Sequence, residues 1–351
     1  MDSERISSSL VSVTQDLNKE FKTRLAVTGD DLCVSDVTMH VPTRSFGLNQ
    51  ILGGGAPCGR VVEIFGDPSH GKSTIIEEMM IGFQRYPGIS VLIDADTGWS
   101  RKRAIAMGHD SSRHIHLQAD TVEYGFNAIF STIARLRMPG RFPNSIPIGI
   151  FWDTISASQT EGEKEGDKYK EGMGDKPRKI RENLRKLAPI LPKNNVCLVF
   201  ACHTHAEIGG KRPGQGPQKK SSTGGEAIPF WSCKRIKVWI SGRLKQPYNG
   251  AGILTAAEAV KDKLDPPWRR IELPILHNTG VDPAYELIYY LTDNSTWVNM
   301  RGAYVSIPDY PEPGKELSFM PKDLHKKLSH FPDLFDYLWA CAEHTWQEQH
   351  G

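Results

Sequence analysis

Apolar positions along the chain follow two periodicities. Residues 5–22 carry Ile6, Leu10, Val13, Leu17 and Phe21 at spacings of three and four, one stripe on a helix surrounded by Ser, Asp, Asn and Lys. Gly29-Asp30-Asp31 and the mixed stretch to Thr43-Arg44 read as a linker. A single amphipathic helix ahead of a linker either packs on its own core or docks on a neighbouring copy of the chain. From about residue 46 short apolar runs alternate with helical segments. Val61 to Phe65 predicts a strand, followed by a Gly-rich loop and a helix through Phe83. Ser90 to Asp94 predicts a second strand, and Tyr124 to Arg137 a helix that leads through a Pro-rich turn into a strand at Ile148 to Trp152. Residues 178–191 read as helical and Val196 to Ala201 as a buried strand. Continuous apolar strands alternating with helices imply an α/β protein with a parallel sheet covered on both faces.

Beyond residue 230 strand signals continue at Ile236 to Ile240 and Arg270 to Leu276, while helices thin out. The tail from about 283 has Trp297, Tyr304, a Pro-rich segment from Pro308 to Pro313 and a helix-like run through Leu324, Leu328, Phe331, Leu334 and Leu338, broken at Pro332. The expected organisation is an assembly helix and linker over 1–45, a core over 46–282 and a small α+β domain over 283–351. No internal repeat is present.

Composition narrows the function classes only slightly. The 351 residues hold 43 Lys+Arg against 41 Asp+Glu, a formal net charge of +2, which argues against binding nucleic acid through gross charge and leaves a local basic channel open. No apolar run reaches the 18 or so residues of a membrane span, and Met1 to Arg5 do not read as a signal peptide. The six cysteines form no CxxC pair, so a reducing cytoplasm is expected. Cys202-His203-Thr204-His205 lacks a second ligand pair at zinc spacing and is not read as a zinc site.

The chemistry is concentrated after the first core strand. Gly66-Asp67-Pro68-Ser69-His70-Gly71-Lys72-Ser73 matches GxxxxGK[ST] in full, between an apolar strand and a helix, the context this motif requires. Glycines let backbone N–H groups converge on phosphate oxygens, Lys72 neutralises β/γ charge and Ser73 can hold Mg²⁺, so ATP and Mg²⁺ are the expected cofactors. Thr74 and Arg103 are counted with the nucleotide-binding set. Asp153, at the end of the Ile148–Trp152 strand, stands where a Mg²⁺-water ligand is expected after a phosphate loop. Asp94 and Asp96 end the second strand. Asp96 is the better candidate to orient or deprotonate an attacking water, the alternative for either carboxylate being a cap or salt bridge. His203 occupies an equivalent strand-end position, either as a γ-phosphate sensor or as ordinary loop chemistry.

The run Val41-Pro42-Thr43-Arg44-Ser45-Phe46-Gly47-Leu48-Asn49-Gln50-Ile51-Leu52-Gly53-Gly54-Gly55, followed by Gly59-Arg60-Val61-Val62-Glu63-Ile64-Phe65-Gly66, resembles the stretch that precedes the phosphate loop in the RecA recombinase family. The resemblance covers most of the chain. Ile93-Asp94-Ala95-Asp96 resembles the family's I-D-A-E, whose last residue positions the hydrolytic water; Asp96 is one methylene shorter. Asp153-Thr154 resembles the metal-site D-S, and Phe200 to Gly209 the sensor strand, with His203 at the glutamine position, as in phage UvsX-type recombinases. Thr223-Gly224-Gly225-Glu226-Ala227 resembles T-G-G-N-A, which closes the second DNA-binding loop. Val260-Lys261-Asp262-Lys263 with Pro266-Pro267-Trp268 resembles V-K-N-K-x-x-x-P-F, which implies that Lys261 and Lys263 reach a neighbouring subunit's γ-phosphate. Read from the sequence alone they are surface lysines on a strand. Residues 5–22 resemble the family's polymerisation helix, and the acidic tail of many bacterial members is missing, which points to a phage-type or divergent bacterial member. The resemblance implies a RecA-type P-loop ATPase core with a mainly parallel sheet, a polymerisation helix in front and a small C-terminal domain behind.

Two loops, about 157–177 and 207–225, are the expected DNA contacts. The first leads into a helix where Arg178, Arg181 and Arg185 share one face, a geometry suited to tracking phosphates. The second carries Lys211, Arg212, Lys219 and Lys220 without an acidic residue from Gly209 to Gly225. The resemblance adds Met173, Gly174, Gly224 and Gly225 as contacts. Neither loop has a base-reading motif, so binding to single-stranded DNA, then homologous duplex DNA, with little sequence preference is expected. The implied activity is DNA-dependent ATP hydrolysis coupled to homologous pairing and strand exchange in a homo-oligomeric filament, with single-strand-binding or mediator proteins as further partners. The alternatives are a RecA-fold hexameric helicase and an ATP-binding mediator with weak hydrolysis.

Overall fold

The computed structural model describes residues 3–22, 39–166, 174–206, 220–222, 225–244 and 251–350, with isolated positions 26, 28 and 37. Contacts divide the chain into Met1–Thr38 and Met39–Gly351. The first unit is built on α1 (Ser3–Glu20). Its apolar stripe is open to solvent, with Ile6, Leu10, Val13 and Phe21 exposed by 46, 55, 54 and 56 %. Where the chain leaves the helix, the Asn18 side chain exchanges two 2.8 Å hydrogen bonds with the Ala26 backbone.

The second unit opens with β1 (His40–Val41), α2 (Phe46–Leu52), β2 (Ala56–Pro57), β3 (Val61–Gly66), α3 (Lys72–Arg85), β4 (Ile89–Asp94), α4 (Arg101–Met107) and β5 (His114–Leu117). It continues through α5 (Val122–Leu136), β6 (Ile148–Asp153), α6 (Glu161–Glu165), α7 (Asp175–Leu187), α8 (Ile190–Lys193), β7 (Val196–Ala206) and β8 (Lys220–Ser222). After α9 (Ala227–Trp231) come β9 (Lys234–Arg243), β10 (Gly252–Asp262), β11 (Arg270–Leu276), β12 (Gly280–Val281) and α10 (Pro283–Asn294). The end of the chain forms β13 (Asn299–Arg301), β14 (Tyr304–Pro308), β15 (Glu316–Phe319), α11 (Leu324–His330) and α12 (Leu334–His350).

The main sheet runs β12-β11-β10-β9-β3-β7-β6-β4-β5, with β8 paired to β7. From β9 to β5 every pair along this path is parallel, whereas β10, β11 and β12 add antiparallel. Side chains alternate between the two faces: Cys197, Val199 and Ala201 of β7 enter one core cluster, Val196, Leu198, Phe200 and Cys202 the other. Helix α3 covers the first face, while α5 and α7 supply Phe126, Ile129, Ile180 and Leu184 to the second. The first cluster continues without a break into α10, β14 and α12 through Leu287, Ile307, Leu334 and Leu338. The helix-like C-terminal run is two helices, parted at the Phe331-Pro332 step because proline cannot continue the amide ladder. Among the described residues no helix is long and apolar enough to cross a membrane.

Candidate nucleotide site and nucleic-acid interface

β3 ends at Gly66, and the chain turns through Asp67–Gly71 into α3. Gly71 caps the helix at φ 92°, a left-handed conformation, and a Cβ there would lie 2.7 Å from Ile275 Cδ1. A Cβ on Gly66 would meet the Val238 carbonyl at 2.3 Å. No side chain caps the N-terminus of α3, so its first N–H groups remain for an anion, and the helix dipole favours one there. Lys72 is buried and donates from Nζ to the Gly66 and Asp67 carbonyls at 3.0 and 2.8 Å. Burial lowers its pKa, opposed chiefly by the charge of Asp153.

Parallel pairing gathers the remaining candidates at the carboxyl edge of the sheet, where open α/β sheets bind ligands. Gly66 is in register with His203, and Asp94 with Asp153. The His203 amide donates to Ser156 Oγ at 2.8 Å. Thr204 donates its hydroxyl to Asp67, tying the end of β7 to the phosphate loop. Nothing in the sequence marks this contact, because Thr204 lies one residue past the β7 position that pairs with Gly66 and that pairing is set by the folded sheet.

Burial pushes the Asp153 carboxyl up to about 6, against the hydrogen bond from Ser73. Asp94 is committed to its own turn: its carboxylate accepts from the Gly98 and Trp99 amides at 3.1 and 3.4 Å, and burial raises its pKa. Asp96 is exposed, and its Oδ1 accepts from the Gly98 amide at 3.0 Å. Arg103, on α4, donates to Thr74 Oγ1 at 2.6 Å and to the His277 carbonyl at 3.0 Å, so it lies beside the start of α3.

A half-buried carboxylate hydrogen-bonded to a serine hydroxyl fits Mg²⁺, which takes few protein ligands and completes its shell with water and phosphate oxygens. Among the described residues no group of three or more His, Cys, Asp or Glu could hold a metal ion. Ser73 and Asp153 are the residues that would hold the ion.

Lys261 and Lys263 lie elsewhere. On β10 Lys261 pairs with Arg235 of β9, which pairs with Glu63 of β3, three residues before Gly66. Lys234 anchors this strand end through Asp262 and Asp265, and Arg269 joins Asp262 at 3.0 Å. Lys261 Nζ contacts the Pro229 and Phe230 carbonyls and shares a cavity of about 600 Å³ with Arg181, Arg185, Arg235 and Phe230. Arg178 differs from its two helix neighbours: Asp175 and Glu182 hold it at 2.5 and 3.5 Å. Gly174, at φ 134°, precedes α7, and Gly225 precedes α9. Met173, Lys211, Arg212, Lys219 and Gly224 lie outside the described residues, and of Lys220 only its backbone, in β8, is described.

A buried lysine on a strand-to-helix phosphate loop, with a serine–aspartate pair at the edge of a parallel sheet, defines a P-loop ATPase core. The family profile of the RecA N-terminal domain matches residues 8–282. Protein RecA of Citrifermentans bemidjiense is 28 % identical over 312 residues, 87 % of this chain and 87 % of that protein. Protein RecA of Helicobacter hepaticus is 32 % identical over 270 residues, 77 % of this chain and 74 % of the relative. For Thermus aquaticus Protein RecA the identity is 31 % over 250 residues, 71 % and 70 % of the two chains. The chain belongs to the RecA family of recombinases.

Proposed function

We propose that this protein pairs homologous DNA and exchanges strands as an ATP-charged filament on single-stranded DNA, with hydrolysis releasing the DNA-binding form. In this reading Lys72 and the α3 N-terminus bind the β- and γ-phosphates, Ser73 and Asp153 hold Mg²⁺, and Asp96 orients the attacking water. The ion, when bound, neutralises charge on the transferring phosphoryl group. His203 contacts the γ-phosphate from the end of β7 and relays its loss into the segment that follows. Arg181 and Arg185 track DNA phosphates together with the basic 207–225 loop, and Arg178 joins them once DNA competes for its acidic partners.

The observation that carries the reading is the register at β10. Lys261 stands three residues back from Gly66 along β3, about 10 Å at strand rise, on the side away from its own phosphate loop. A cation held back from its own phosphate loop suits a nucleotide bound across an interface between copies. This favours an assembly-dependent ATPase, with the apolar face of α1 as the joint between subunits.

The test is a D-loop assay with homologous and heterologous duplex, run beside single-strand-stimulated ATP hydrolysis with Lys72→Ala as control. Pairing that needs homology and ATP, and that Lys72→Ala abolishes, is expected. Pairing indifferent to homology would refute recombinase function.

A further inference from the structure

The turn between β4 and α4 carries Asp96 and is held at its far end by one side chain. Residues 96–98 are exposed, and Thr97 sits at φ 56°, a left-handed conformation that a β-branched residue adopts at a cost. Strain of that kind persists where neighbouring contacts fix the backbone. Asp94 supplies one fixed end through its bonds to the Gly98 and Trp99 amides. Trp99 supplies the other. Its indole Nε1 donates to Glu77 Oε2 at 3.0 Å, and its ring stacks on His114 (5.4 Å between centroids, 22° between planes). His116 at 5.1 Å and His109 at 5.8 Å close the remaining sides.

The acceptor of that indole bond is itself secured. His109 Nδ1 lies 2.7 Å from Glu77 Oε1. The Gln84 amide is oriented by both backbone groups of Asp110, accepting from N at 2.8 Å and donating to O at 3.0 Å. Its Nε2 also lies 3.0 Å from Ser90 Oγ and 3.2 Å from His109 Nε2, so Gln84 backs the imidazole on the side away from Glu77. Glu77 and Ser73 are one helical turn apart on α3, the helix that also begins with Lys72. A single chain of buried and half-buried contacts thus connects the helix that begins with Lys72 to the turn that carries Asp96.

We propose that Trp99, anchored by Glu77 and His109, is a positioning residue for hydrolysis: it holds the Asp96 turn at a set distance from the phosphate-binding end of α3. The proposal rests on the assignment of Asp96 as the water-orienting carboxylate. Asp96 has a short side chain, so the place of its carboxylate follows the backbone of this turn closely, and the anchor of the turn governs the geometry of attack.

The test is a double-mutant cycle in single-strand-stimulated ATP hydrolysis with wild type, Asp96→Asn, Trp99→Ala and the double variant. An ångström-scale displacement of a catalytic group costs up to about a hundredfold, so Trp99→Ala is expected to lower kcat by roughly tenfold to a hundredfold, with KM for ATP within about threefold of wild type. In the Asp96→Asn background the same change costs less than about twofold, because residues acting as one unit are not additive. Trp99→Phe, which keeps a ring and loses the N–H, falls between wild type and Trp99→Ala, and it carries the same cycle should the alanine variant not fold. Equal losses in both backgrounds, a loss carried by KM, or an unchanged kcat in the Trp99 variants overturns the positioning role. An unchanged kcat in Asp96→Asn alone overturns the assignment of Asp96 itself.

Discussion

At the scale of single residues, the groups with chemistry are those whose burial conflicts with their charge. Lys72 is buried and Asp153 half-buried, and the charge of each favours the charged form of the other. Glu286 is a different case. It is buried on α10, accepts from Ser45 Oγ and the Gly47 amide at 2.8 Å each, and its Oε2 has no hydrogen-bond partner among the described residues. Burial pushes its carboxyl up to about 8. The folded protein therefore keeps a proton that the unfolded chain loses near its ordinary value of 4.5. Stability from this group is complete below that lower value and falls as pH rises toward 8, by at most about 1.4 kcal/mol per pH unit. Glu286→Gln keeps an oxygen for Ser45 and Gly47 and removes the titration. Urea unfolding at pH 5 and pH 8 should show the variant gaining on wild type as pH rises; a constant difference would mean that the carboxyl does not titrate in this window. Nothing in the sequence marks Glu286, because its burial comes from α2, 239 residues away along the chain.

Periodicity was most informative for whole elements. Strands β3, β4, β6 and β11 coincide with the apolar runs to within a residue. β7 extends to Ala206, five residues past its apolar run, and β9 also outruns its apolar stretch, because sheet pairing there satisfies polar positions. β5 and most of β10 carry no strand signal, apart from the stretch around Lys261 that reads as a strand: His114-Ile115-His116-Leu117 is half polar, and β10 is rich in alanine. Pairing along the sheet, rather than residue preference, makes both extended. Helix α1 has the reverse character, since its stripe is evident in sequence and exposed in the structure. Leu10→Glu should leave stability within about 0.5 kcal/mol, as exposed positions usually do, and abolish filaments on single-stranded DNA. Thermal melting and electron microscopy measure the two halves of this prediction, and filaments of normal length would remove α1 from the joint between subunits.

For the whole molecule, assembly and chemistry are proposed to share one interface, and mixing tests this directly. Lys72→Ala and Lys261→Ala should each be inactive alone, one lacking the phosphate lysine and the other the lysine given to a neighbour. Mixed together, they create some interfaces with an intact phosphate loop on one side and an intact Lys261 on the other. ATP hydrolysis should return to a fraction of the wild-type rate, and a mixture as inactive as its components would place Lys261 in its own subunit's chemistry or in none. The sequence by itself determined the phosphate loop, the alternation of strand and helix, the α1 stripe and the family, because each is local: a few residues, or one period, carry the whole signal. Tertiary structure decided that Asp94 stands level with Asp153, that Arg181 and Arg185 share a cavity with Lys261, and that Trp99 is braced by Glu77 and three histidines. Those outcomes depend on which strands lie side by side and in what register, and register is a property of the folded sheet.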